Sequence, residues 1–162
     1  MDSSDLRLFS DTPELDFKWL KQAAKDDENV LAGFIARRQK GEPVAKIIGQ
    51  KGFWTLDLKV SKDTLDPRPD SETIISSVLK HFPDKTAPLR ILDLGTGSGC
   101  LLLALLDEYK NATGVGMDAS ASALQIAEQN VKKYAPDRAR LLCRSWNADN
   151  WWSDLGGFDV VV

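Results

Sequence analysis

The apolar positions along this chain change period twice, and each change predicts a different kind of element. Over roughly the first forty residues they recur at helical spacing. Leu15, Trp19 and Ala23 repeat at i, i+4 and i+8, with Asp11 as a capping residue, Pro13 in the opening turn and Glu14 three residues after the cap. A second helix is predicted from about Asp27. Its apolar face is Val30, Leu31, Phe34 and Ile35, its last turn carries Arg37, Arg38 and Lys40 as a solvated, dipole-matched end, and Gly41 with Pro43 stops it.

From Val44 the period becomes two. Val44–Ile48 and Phe53–Val60 read as strands around the turn Gly49-Gln50-Lys51-Gly52, with Trp54, Leu56, Leu58 and Val60 on one face, so a hairpin is predicted. Pro67 and Pro69 then break the chain, and Ile74, Ile75, Val78, Leu79 and Phe82 mark a helix that ends before Pro83. Lys85–Pro88 reads as a linker. Beyond it come strand, glycine-rich turn, helix, strand, helix, strand and strand, the signature of an α/β domain with a parallel sheet and crossover helices. The predicted strands are Arg90–Leu94, Thr113–Met117, Arg140–Arg144 and Phe158–Val162, and the helices are Cys100–Tyr109 and Ala121–Tyr134. The organisation predicted is a small helical region over 1–42, a β-hairpin linker over 43–66 and a partial α/β domain over 67–162. Because Phe158–Val162 is a buried-strand run with no cap or polar tail behind it, the chain is expected to be a fragment that stops inside a domain.

Composition narrows the function classes. A length of 162 residues allows one main domain and an auxiliary element, and 43% hydrophobic with 28% charged residues is the balance of a globular chain. The 21 basic residues against 24 acidic ones, for a net charge of -3, argue against a protein that binds phosphate backbones by charge. With Cys100 and Cys143 as the only cysteines and His81 as the only histidine, no zinc cage or disulfide framework is expected. No apolar run approaches the roughly 20 residues that span a bilayer, and Met1–Ser10 is too polar for a secretory leader. A cytoplasmic setting is expected.

The sharpest chemical signal is Asp93-Leu94-Gly95-Thr96-Gly97-Ser98-Gly99 at a strand-to-helix junction. Glycines there let the backbone turn tightly and approach a ligand, and the unpaired N–H groups of the helix face whatever binds; the alternative is a tight turn with no ligand. Asp118 ends the next strand, where a carboxylate can accept bonds from both hydroxyls of a ribose, or alternatively cap the following helix, a task open to Ser120 as well. A dinucleotide loop would place a third glycine where Cys100 stands, and no Gly-Lys-Ser/Thr follows for a triphosphate. Cys100 itself reads as a small core residue, since no histidine is placed to activate it. What remains suits a ligand with an amino-acid end and a nucleoside end, and S-adenosyl-L-methionine has both.

Four blocks now make a resemblance specific: Gly41-Glu42-Pro43-Val44-Ala45-Lys46-Ile47-Ile48-Gly49; Phe53-Trp54-x-Leu56; Pro67-Arg68-Pro69-Asp70-Ser71-Glu72; and the Asp93–Gly99 loop. In this order and spacing the chain, from about Thr12 to Val162, resembles the HemK-type release-factor glutamine methyltransferases. The resemblance implies a small helical domain, a hairpin linker and a Rossmann-like methyltransferase domain that uses S-adenosyl-L-methionine to methylate the glutamine of the Gly-Gly-Gln motif in peptide-chain release factors. It implies that Gly95, Thr96, Gly97, Ser98 and Gly99 form the cofactor loop above Asp93, that Asp118 binds the ribose, that Trp146 lies beside the cofactor, and that Arg68 and Glu72 pack near the site entrance. Two positions depart from the family: Ser145 stands where an acidic residue is usual and Asp66 where an apolar one is. The family's catalytic Asn-Pro-Pro-Tyr does not occur in residues 1–162, so no catalytic residue or metal ligand is assigned and this stretch is expected to be inactive by itself. The partners implied are release factors, with no membrane and no direct nucleic-acid contact. Rival readings are a methyltransferase for ribosomal-protein glutamine or for nucleic-acid amino groups, and a non-catalytic binding module.

Overall fold

The computed structural model describes residues 2–6 and 10–162. They fall into two compact units, Met1–Gln50 and Lys51–Val162. The first unit is helical: α1 (Pro13–Ala23), α2 (Glu28–Gln39) and α3 (Val44–Ile48), with a short 3-10 turn at Ser3–Leu6. Leu6, Leu20, Ala24, Leu31, Ile35, Val44 and Ile47 form its core.

Four expectations are corrected in this unit. Val44–Ile48 is a helix and not a strand: Pro43 supplies its extended N-cap and Gly49, at φ 72°, its left-handed C-cap. Five residues with alternating character fit either period, and the stop signals on both sides decide. The buried face of α1 is also not Leu15–Trp19–Ala23. Leu15 and Trp19 are 40% and 43% exposed, and the inward row is Asp16, Leu20 and Ala24. Asp16 can be buried because the Arg38 guanidinium donates to its carboxylate at 2.9 Å. Arg38 is therefore not a solvated helix end, whereas Arg37 is exposed as expected and binds Glu42 (2.8 Å) and the carbonyl of Ile47 (3.3 Å). Thr12, not Asp11, is the N-cap of α1, whereas Asp27 caps α2 by accepting from the amides of Asn29 and Val30.

The second unit opens with the hairpin β1 (Gln50–Phe53) and β2 (Leu56–Lys59), whose turn is Trp54-Thr55, later than the predicted Gly49–Gly52. Leu56, Leu58 and Val60 point inward as the pattern required. Trp54 takes φ 54°, a conformation rare for a large side chain. Three bonds hold the turn there: Trp54 N donates to Glu72 (2.9 Å), Trp54 Nε1 to Glu108 (2.7 Å) and Thr55 Oγ1 to Asp107 (2.7 Å). Trp54→Phe removes the indole donor to the Glu108 carboxylate together with part of a ring packed against the core, and is expected to cost about 1–3 kcal/mol in urea denaturation.

α4 (Glu72–His81) follows, and then β3 (Arg90–Leu94), α5 (Cys100–Glu108), β4 (Thr113–Asp118), α6 (Ala121–Tyr134), β5 (Ala139–Cys143) and β6 (Val160–Val161). The strands form one parallel sheet in the order β5-β4-β3-β6. This is the α/β parallel arrangement the sequence predicts, with right-handed crossovers the expected connection. α5 is apolar all round, with Leu102, Leu103, Leu105 and Leu106 almost wholly buried, because the sheet and its neighbouring helices enclose it. Arg138 closes its far end by donating to the carbonyls of Leu106 (2.8 Å) and Tyr109 (3.2 Å). α5 comes so near β4 that a Cβ on Gly114 would lie 2.3 Å from Leu102 Cδ1. Gly114→Ala is therefore expected to destabilise the unit by about 1–3 kcal/mol in the same assay. Among the described residues no helix is long and apolar enough to cross a membrane, and no cluster of histidine, cysteine and carboxylate side chains is arranged to hold a metal.

Candidate cofactor site

β3 and β4 end side by side, and the loop after each carries the candidate residues. At the end of β3 the chain turns through Gly95, Gly97 and Gly99 at φ 80°, 55° and 83°, where side chains are disfavoured, and so enters α5 within five residues. The amides of Gly95 and Thr96 both bond to the Met117 carbonyl at 2.8 and 2.9 Å, which fixes the loop over the end of β4. The site thus lies at the carboxyl ends of the strands. β3 is flanked there by β4 on one side and β6 on the other, the switch point at which open α/β sheets bind ligands.

Asp118 stands at this edge with its carboxylate towards the loop. Oδ2 accepts the Gly97 amide at 2.9 Å and Oδ1 the Ser120 amide at 2.8 Å. A carboxylate offers about four lone-pair directions, so the two spent on the protein leave one on each oxygen, the number a vicinal diol requires. Ser120 takes the capping task, accepting the Ala123 amide, so the helix does not depend on Asp118 for its cap.

Asp93 lies at the foot of the loop, 3% exposed. Its Oδ2 accepts the Thr96 hydroxyl at 2.7 Å and the Leu102 amide at 3.4 Å. Burial pushes this carboxyl up to about 6, the two bonds oppose the rise, and the negative charge of Asp118 adds to it. The pair therefore forms a pocket of negative potential that would be relieved by a cation. Cys100, next to the loop, is pushed up to about 11 by burial and by Asp93, so it remains a thiol.

The other candidates divide by role. Thr96 is buried and spends its hydroxyl on Asp93, so it shapes the loop from below. Ser98 is 1% exposed, its Oγ has no hydrogen-bond partner and its carbonyl accepts the Asn130 side chain at 2.8 Å. Trp146 is 48% exposed, and its six-membered ring lies 3.5 Å from where a Cβ on Gly95 would stand. That distance is ordinary van der Waals contact, so it is the φ of 80° and not the indole that calls for glycine at 95. Arg144 pins the segment that carries Trp146 by bonding the Trp151 carbonyl and, at 2.6 Å, Asp154. Glu72 is engaged with the hairpin turn through Trp54 N.

The sequence pattern missed Asn130. It sits in α6 among residues that alternate like a surface helix, yet it is 1% exposed and its amide is fully bonded, to Ser98 and to both backbone groups of Lys59. A polar residue at an inward helical position, between Ala127 and Val131, was the available signal.

Several known proteins are similar to this chain. Residues 91–162 match the family model described as a methyltransferase domain. The release factor glutamine methyltransferase of Agrobacterium fabrum is 42% identical over 142 residues, covering 85% of this chain and 48% of that protein. The protein of the same name from Caulobacter vibrioides is 45% identical over 135 residues, 82% of this chain and 45% of that one. The chain is a relative of the release factor glutamine methyltransferases. It spans about half the length of these curated relatives. Among solved structures, the precorrin-6y C5,15-methyltransferase of Geobacter metallireducens superposes with a TM-score of 0.50 at 18% identity, over 64% of this chain and 52% of that one, which concerns the fold alone. The Rossmann-like methyltransferase fold expected from the sequence is thereby borne out.

Proposed function

We propose that this chain is the cofactor-binding part of an S-adenosyl-L-methionine-dependent enzyme that methylates the glutamine side-chain amide in the Gly-Gly-Gln motif of peptide-chain release factors, in the cytoplasm. The observation that carries the reading is Asp118, turned onto the glycine loop with one acceptor direction left on each oxygen, in a chain related to the release factor glutamine methyltransferases.

The residues present fit the cofactor. Asp93, buried and held well above the usual carboxylate range, offers a counter-charge for the ammonium group of the zwitterionic amino-acid end. Gly95 and Gly97 take left-handed conformations that disfavour a side chain, and Trp146 supplies an apolar face beside them for the nucleoside. When bound, S-adenosyl-L-methionine supplies an electrophilic methyl on a sulfonium. The protein's task is to hold and aim: Asp118 fixes the ribose, the Gly95–Gly99 loop and Asp93 hold the amino-acid end, and Trp146 flanks the adenosine. An amide nitrogen is a poor nucleophile because its lone pair is delocalised, so positioning must supply much of the rate. No residue of this chain is assigned to orienting the glutamine.

The test is methyl transfer by the complete gene product from tritiated S-adenosylmethionine. Label is expected in an intact release factor and is lost when the motif glutamine is replaced by asparagine. Label in a ribosomal protein or in DNA instead overturns the substrate assignment, and failure to bind S-adenosylhomocysteine overturns the enzymatic reading.

A further inference from the structure

α6 does two things at once. Its Tyr134 hydroxyl donates to the Asp57 carbonyl (2.7 Å) and accepts the Asp57 amide (3.0 Å), while Asn130, one turn earlier, accepts the Lys59 amide (2.8 Å) and donates to the Lys59 carbonyl (3.0 Å). The match is metric. Four helical residues rise about 6 Å and two strand residues about 6.6 Å, so side chains at i and i+4 of the helix meet alternate peptide groups of β2. The free edge of the hairpin is thereby satisfied by a helix and not by a further strand.

The two clips differ in one respect. The Tyr134 hydroxyl bonds only to Asp57 of the hairpin, whereas the second Asn130 N–H reaches the Ser98 carbonyl at 2.8 Å, inside the glycine loop. Ser98 precedes Gly99, the residue whose left-handed conformation starts α5. One fully buried amide thus ties the register of the hairpin to the peptide that sets the loop's exit angle.

We propose that Asn130 is a positioning residue through which the docked hairpin holds the Ser98–Gly99 peptide in its cofactor-binding conformation. The inference rests on the methyltransferase reading above and goes beyond it by making cofactor affinity depend on a strand edge that touches no cofactor. Because coupling between two sites is reciprocal, occupancy of the loop must in turn tighten the Lys59 clip and leave the Asp57 clip alone.

The experiment is amide hydrogen exchange on the complete gene product with and without saturating S-adenosylhomocysteine. Ligand is expected to slow exchange of the Lys59 amide by about fivefold more than that of the Asp57 amide; equal slowing at both, or none at either, overturns the proposal. Two variants carry the reverse direction. Asn130→Asp is nearly isosteric and keeps the acceptor for Lys59 N but loses both donors; it is expected to weaken S-adenosylhomocysteine about tenfold or more. Tyr134→Phe, which loosens only the hairpin, is expected to stay within about twofold of the wild type. Equal losses in the two variants, or none in Asn130→Asp, overturn the positioning role while leaving wild-type binding, and so the functional reading, intact. If the wild type itself fails to bind, the functional reading fails and the coupling to cofactor falls with it.

Discussion

Asp118→Ala is expected to weaken S-adenosylhomocysteine about a hundredfold, since each hydrogen bond to a charged acceptor contributes about 1.5–3 kcal/mol and two ribose hydroxyls lose theirs together. The effect has a second source. The same carboxylate accepts the Gly97 and Ser120 amides, so its removal also frees the loop that the ligand needs ordered. Asp118→Asn separates the two contributions: a neutral amide can retain one backbone bond but offers a weaker and partly mismatched face to a diol, and about a tenfold loss is expected. Titration calorimetry on the complete gene product measures both, with thermal unfolding as the control that the sheet is intact. Unchanged affinity in Asp118→Ala would remove the ribose assignment.

The sequence made the parallel sheet and its glycine loop legible because backbone demands write themselves into residue type. A turn that needs three left-handed residues within five positions can hardly be spelled without Gly95, Gly97 and Gly99, and the central strand β3, buried over Ile91–Asp93, reads as a mostly apolar run. Where side chains make the decision the pattern was misleading. Leu15 and Trp19 look like a core face, yet the inward row contains Asp16, buried because Arg38 comes from another helix to pair with it. A long-range pair of this kind leaves no periodic trace. Val44–Ile48 shows the limit of short windows, where the flanking Pro43 and Gly49 outweigh five ambiguous residues. Trp152, with Leu155 and Phe158 nearby in the sequence, is 57% exposed and meets Trp151 edge-on, with ring centres 5.6 Å apart. Asn130 was hidden for the opposite reason: its three partners are backbone groups, and these have no identity in a sequence.

Asp93→Asn is expected to make ligand affinity both weaker and insensitive to pH. In the wild type, burial raises the Asp93 carboxyl to about 6 from the ordinary 3.8. A raised carboxyl pKa means that the folded, ligand-free state binds this proton more tightly than the unfolded chain does, so the group stabilises the fold below about pH 4 and that contribution is lost as pH rises through about 6. At neutral pH the ionised, buried carboxylate is therefore a cost to the empty protein, of order 2–3 kcal/mol at about 1.4 kcal/mol per pKa unit. The ammonium group of the ligand turns that cost into an attraction. S-adenosylhomocysteine affinity should climb between pH 5 and about 6.5 as Asp93 ionises and level off above. Asp93→Asn keeps an acceptor for the Thr96 hydroxyl, so the loop is expected to persist, and the ligand-free variant should gain stability over wild type above about pH 6. Its affinity should be about tenfold or more below the wild-type plateau and flat across the same range. Calorimetric titrations at half-unit steps of pH, paired with urea denaturation of the empty proteins, read both effects; parallel pH profiles for variant and wild type would show that Asp93 is not the counter-charge of the site.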